Sequence, residues 1–148
     1  MTIVVAVQLG ARGEWLRLTP DNTSHRPPQY VTAELRCDGL AASRQVVHNY
    51  ASGFEDLADF FGQLADDWRG WSGERVWESV EGDLRIEARH EYRHIQLRIV
   101  IRSPGPGWGN EGWKAAADLT IDPGEELTRA VSDLRVLALG TASDDDPV

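Results

Sequence analysis

The sequence predicts an α+β fold: a largely antiparallel sheet of about seven strands with two amphipathic helices packed on one face. Three observations carry this. Apolar and polar residues alternate with period two in several segments. Two windows place apolar residues at helical spacing instead. The order along the chain is β-rich, helix, β-rich, helix.

Val4 to Gln8 and Glu14 to Thr19 read as strands around the turn Gly10-Ala11-Arg12-Gly13, because β-branched and aromatic residues are bounded by glycines. Pro20 to Pro28, polar and closed by a Pro-Pro pair, reads as a loop. From Tyr30 to Cys37, Val31, Ala33, Leu35 and Cys37 share one face, so Cys37 is expected to be a small core residue. Asp38-Gly39 is a hairpin turn, with Ala42 to Asn49 as the returning strand.

Ser52-Gly53-Phe54-Glu55 has the form of a capping box, in which the serine accepts an amide of the first turn and the glutamate reaches back. Phe54, Leu57, Phe61, Leu64, Ala65 and Trp68 then define an amphipathic helix over 54–68 that Gly70 closes, with Trp68 on its buried face. Its other face carries Glu55, Asp56, Asp59, Asp66 and Asp67. Arg75 to Ser79, Asp83 to His90 and His94 to Arg102 alternate as an antiparallel meander. Pro104 to Gly112 is a Gly/Pro-rich loop, and Ala115 to Ile121 a last strand. Asp122 is the expected N-cap and Pro123 the first residue of a second helix, whose apolar face runs from Leu127 to Ala138 and which Gly140 ends. The sequence shows no internal repeat of 20 to 50 residues. Residues 1–142 are expected to form one domain and 143–148, with three consecutive aspartates, an acidic disordered tail.

The 148 residues suit one compact domain. The net charge of −9 opposes binding to nucleic acid or to an anionic membrane and favours a basic partner. Cys37 is the single cysteine, which excludes an intramolecular disulfide and fits a reducing, cytoplasmic setting. No signal-peptide pattern or long apolar run stands in the sequence, so no membrane role is expected.

Candidate chemistry is sparse. His90 and His94, four apart around Glu91, would share a face on a helix, but here they flank a strand turn and have no third ligand at a recognisable spacing. Carboxylate pairs drawn from Glu78, Glu81 and Glu87 have no readable separation or burial. Gly105-Pro106-Gly107 and Gly109 lack the Lys-Ser/Thr pair of a phosphate loop. No catalytic residue, metal site or cofactor is therefore assigned. Trp71 and Trp108, in loops near acids, have the composition of an interface.

Trp71, Gly73, Trp77, Ser79 and the run Glu81-Gly82-Asp83-Leu84, followed by Ala88 to Ile99 and by Pro123-Gly124-Glu125-Glu126-Leu127, resemble a family of small uncharacterised actinobacterial proteins. More distantly, they are similar to the WapI-type immunity proteins of polymorphic toxin systems. The likeness covers about residues 54 to 139, and departs from the family at Arg93-His94, where glycine-histidine is usual. The resemblance implies a non-enzymatic protein that binds and blocks a toxin or effector domain. In that reading Asp56, Asp59, Asp66, Asp67, Trp71 and Trp108 meet a basic partner. A homo-oligomeric interaction domain that buries a tryptophan-bearing sheet face is the alternative; a small-ligand or metal-dependent enzyme using His90 and His94 is a lesser one.

Overall fold

A computed structural model of the chain describes residues 6–21, 27–105 and 112–140. Trp108 and the tail 143–148 lie outside the described residues. The elements in order are β1 (Val7–Ala11), β2 (Glu14–Pro20), β3 (Tyr30–Cys37), β4 (Leu40–Val47), α1 (Glu55–Asp66), β5 (Glu74–Glu78), β6 (Leu84–Glu91), β7 (His94–Ser103), β8 (Trp113–Ile121) and α2 (Glu125–Leu139).

The α+β class and the antiparallel pairing hold, but the single sheet of about seven strands is replaced by two four-stranded sheets, ordered β1-β2-β3-β4 and β5-β6-β7-β8. The reason is the connection. Within each sheet consecutive strands return through short turns or a loop, whereas β4 and β5 are separated by α1 and share no ladder. The topology is thus ββββα twice over, a repeat of architecture where the sequence shows none.

Alternation then fixes which face of each sheet is dry. Val7, Leu9, Leu16, Leu18, Val31, Ala33, Leu35 and Val46 point inward from the first sheet, and Trp77, Leu84, Ile86, Ala88, Ile95, Leu97, Ile99, Ile101, Leu119 and Ile121 from the second. These residues and the apolar stripes of both helices form one buried cluster; Cys37, expected in the core, packs against it but is only partly buried, at the end of β3. Burial pushes the Cys37 thiol pKa up. The layers converge where β1 approaches β8 and α2, and where β3 and β4 approach β7.

The helices pack on each other at Gly62. A side chain there would come within 2.9 Å of the Arg135 Nη2, so glycine leaves room for the α2 arginine to lie across α1 and reach Asp59. α1 begins differently from expectation. Phe54 occupies the N-cap without a side-chain bond. It is the Ser52 carbonyl, not its hydroxyl, that accepts the Glu55 N–H, while the Asn49 side chain accepts from Ala51 and Ser52. The capping box is therefore not formed; the Asn49 turn leading into the helix takes its place.

The end of α1 also differs. The helix stops at Asp66, and the chain continues in turns in which Trp68 N–H bonds Ala65 and Gly70 N–H bonds Asp67. Trp68 thereby leaves the Leu57/Phe61/Leu64 stripe and is 50% exposed, contrary to its expected burial. α2 starts at Glu125 with Gly124 as N-cap rather than Asp122; the Asp122 carboxylate accepts the Gly124 N–H at 3.0 Å in the turn that precedes the helix. Gly140 ends α2 in the left-handed conformation, as expected.

The first turn of α2 is clasped to β1. The two carboxylate oxygens of Glu126 accept from the N–H of Asp122 at 3.1 Å and of Gly10 at 3.0 Å. Gly10 can point its amide there because it adopts φ +94. Any side chain would also strike the Glu14 carbonyl. Gly10→Ala is expected to cost roughly 1–3 kcal/mol through backbone strain and loss of the clasp. Glu126→Gln should cost less. Chemical denaturation of the two variants beside the parent checks that order.

Candidate functional site

The acidic face of α1 does not stand as a free row of carboxylates. Asp59 is 2.6 Å from Arg135 of α2, and Asp67 is 2.8 Å from Arg75 of β5. Asp56 is half-buried and accepts the N–H of Leu57 at 2.8 Å. Asp66 is exposed, and no bond to it is found among the described residues. It stands on a ridge with Gln63 between two open grooves. One, of about 580 Å³, is floored by Phe60 and Val76 and rimmed by Asp66, Asp67 and Arg75. The other, of about 380 Å³, runs between the helices past Val131 and Arg135.

The tryptophans exchange roles relative to expectation. Trp71, expected at an interface, lies half-buried against the core, edge-on to the His90 ring at 5.3 Å and beneath the Arg75 guanidinium at 4.7 Å. Its indole nitrogen is buried without a partner among the described residues. Trp68 is the exposed one, with the Arg69 guanidinium 5.1 Å from its ring.

His90 and His94 do not converge. His90 follows Leu84, Ile86 and Ala88 on the inward face of β6, and its Nε2 lies 2.9 Å from the Trp68 carbonyl. Since a carbonyl only accepts, Nε2 carries the proton. His94 pairs with Glu91 on the opposite face and is exposed. Among the described residues no group of three His, Cys, Asp or Glu side chains could hold a metal ion. Glu78 and Glu87 both bind Arg85, at 2.9 and 2.7 Å, on the outer face of the second sheet. Glu81 accepts the Tyr50 hydroxyl at 2.9 Å, a bond that raises the phenol pKa above its ordinary value.

The most constrained polar cluster was not singled out as a site by the sequence, although its residues Ser79 and Glu81 to Leu84 carry the family resemblance. They form the β5–β6 turn. Ser79 N–H bonds the Leu84 carbonyl, Gly82 N–H the Ser79 carbonyl, and Leu84 N–H the Ser79 hydroxyl oxygen. That hydroxyl donates to Asp83 Oδ1 at 3.1 Å. Asp83, only 5% exposed, takes its second partner from the other sheet: Arg44 Nε on β4 reaches Oδ2 at 3.2 Å, and Arg44 Nη1 reaches the Ser103 hydroxyl at 3.3 Å. Arg102 holds the turn from β7, donating Nε to the Gly82 carbonyl at 2.7 Å and its amide to the Asp83 carbonyl at 3.0 Å. The cluster opens into a cavity of about 400 Å³ whose wall includes Trp113 and Lys114.

Removing Arg44 strands a buried carboxylate. Arg44→Met is expected to cost about 3 kcal/mol, the low end for a broken buried pair because Arg44 is itself about one-third open to solvent. Adding Asp83→Asn, which removes the charge and keeps a group for Ser79, should recover part of that loss. A denaturation double-mutant cycle measures the recovery.

No described helix is long and apolar enough to cross a membrane. No curated protein and no solved structure matches the chain. One family does, and its match takes in the first sheet as well as the stretch from α1 onward: over residues 7–140 the chain belongs to the family of unknown function DUF6228.

Proposed function

We propose that the chain is a non-enzymatic protein-binding domain whose partner is a basic protein, and, in finer terms, a cytoplasmic immunity protein of the WapI-like kind that binds and blocks a toxin domain. The observation that carries the reading is the ridge at Asp66. An exposed carboxylate stands between two grooves of mixed lining, with Phe60 and Val76 in one and Val131 in the other, and a half-exposed tryptophan, Trp68, lies two residues on. Apolar side chains, a charged rim and an aromatic anchor are what protein interfaces are built from. Asp59 and Asp67 add to the negative rim although each faces an arginine, since both remain about half exposed. The net charge of −9 steers a cationic partner towards the molecule.

The alternative, a homo-oligomer closing over a tryptophan-bearing sheet face, has less to rest on. The outer face of the second sheet carries ion pairs, Arg85 with Glu78 and Glu87, Arg89 with Glu74 and Arg98 with Asp118, rather than tryptophan. Trp15 does lie on the outer face of the first sheet, but the Arg17 guanidinium covers its ring at 4.2 Å.

Affinity capture from extract of the native cell tests the proposal. A basic protein should be retained at low salt and released at high salt. Asp66→Lys combined with Trp68→Ala should lose it while leaving the fold intact. Capture that survives both the salt and the substitutions would remove this surface as the binding site. For the finer reading, the captured protein should be toxic when expressed alone and harmless when co-expressed with this chain.

A further inference from the structure

Each sheet has two outer strands with one unpaired side, and an unpaired side invites a further strand unless something opposes it. β1 is clasped to α2 through the Gly10 amide. β4 and β5 turn arginines to the inner face, Arg44 opposite Ala33 and Arg75 opposite Ala88, a charge placement that discourages edge pairing. β8 has neither device. It is nine residues long, runs through Ala115-Ala116-Ala117, and presents only Trp113, Ala115, Ala117, Leu119 and Ile121 inward. β1 comes near β8 but forms no ladder with it. Among the described residues, no backbone N–H or C=O of β8 bonds anything outside the ladder with β7.

The charges on this strand are arranged to match a copy of itself. Lys114 stands opposite Arg102 in the β7–β8 ladder, and like charges so placed destabilise the pair. An acid on the other side of Lys114 offsets that repulsion. Asp118 lies four residues on, on the same outer face, with Ala116 midway between them. A two-fold axis through Ala116, normal to the sheet, lays a second β8 antiparallel to the first and sets Lys114 of each copy opposite Asp118 of the other. On the inner face it sets Ala115 opposite Ala117, and brings Trp113, 44% exposed, beside Leu119 and within diagonal reach of Ala117. Other registers lose the match. An axis at Ala115 or Ala117 leaves both charges facing neutral residues, and one at Lys114 or Asp118 sets that charge against itself. Asp118 accepts from Arg98 yet is 58% exposed, so it can also meet a lysine from outside.

We propose that the chain forms a two-fold symmetric homodimer through the free edge of β8, with the axis at Ala116, so that the two copies of the second sheet join into one continuous sheet. The shared element is an edge, not the tryptophan-bearing face weighed above. The Asp66 ridge lies beside β5, at the other edge of the same sheet, so the dimer stands or falls independently of what that ridge binds.

The test is sedimentation of the full chain over a concentration series, with circular dichroism to check that each variant folds. The parent should pass from monomer to dimer as concentration rises. Lys114→Asp and Asp118→Lys each place two like-charge pairs across the axis, and each alone should weaken the dimer roughly tenfold or more. An equimolar mixture of the two variants should recover it as a heterodimer, because one copy then offers two acids and the other two lysines. A second measurement does not depend on those charges. In a Cys37→Ala background, Ala116→Cys lies on the axis and should be joined into a covalent dimer by a short bifunctional thiol reagent, whereas Ala41→Cys, exposed on β4, should not. The proposal is overturned if the parent stays monomeric throughout, if either single variant dimerises as well as the parent, if the mixture does no better than its components, or if Ala41→Cys links as readily as Ala116→Cys.

Discussion

The arrangement of this molecule depends on how two sheets that share no backbone ladder are held in one orientation. Apolar burial supplies the driving force, with both sheets and both helices contributing to a single core, but burial has no direction. Among the described residues, the side chain that bonds a strand of the first sheet to the second is Arg44. It crosses to Asp83 and Ser103, and through Asp83 it meets the Ser79 turn. A buried carboxylate with two matched donors tolerates little displacement, because a gap leaves it desolvated and unpaired. The same contact builds one side of the cavity, so the geometry of the site and the packing of the layers are one constraint.

Much of the architecture is legible from residue spacing. Alternation places the strands and their dry faces, and Asp38-Gly39 and Gly140 mark a turn and a helix end that the structure bears out. Alternation says which face a residue takes, however, and nothing about which strands pair, so one sheet and two sheets give the same pattern. Helical spacing likewise cannot tell where a helix stops. Trp68 continues the stripe of α1 by period, yet the chain turns at Asp66 and carries it into solvent.

The candidate site was readable only in its local half. Asp59 and Asp67 look like free acids in the sequence because the arginine facing Asp59 lies 76 positions away and the one facing Asp67 lies on a different element. Asp83 sits in a stretch that carries the family resemblance, but its burial and charge pairing rest on Arg44, 39 positions earlier. The opposed cations Arg102 and Lys114 become neighbours only once the β7–β8 register is known. Long-range pairing of charge is what a single sequence leaves out.

The repeated ββββα order also bears on how the chain reaches this state. Every ladder joins strands consecutive in sequence, so no pairing waits for a distant segment to arrive. Loop-closure entropy is small for such hairpins, and local topology of this kind accompanies fast folding. What the ladders leave to be formed is the contact between the two sheets, where Arg44 meets Asp83, and between the helices, where Arg135 meets Asp59. The two halves are thus each local in their strand pairing and joined to one another only by the shared core and a few long-range polar contacts.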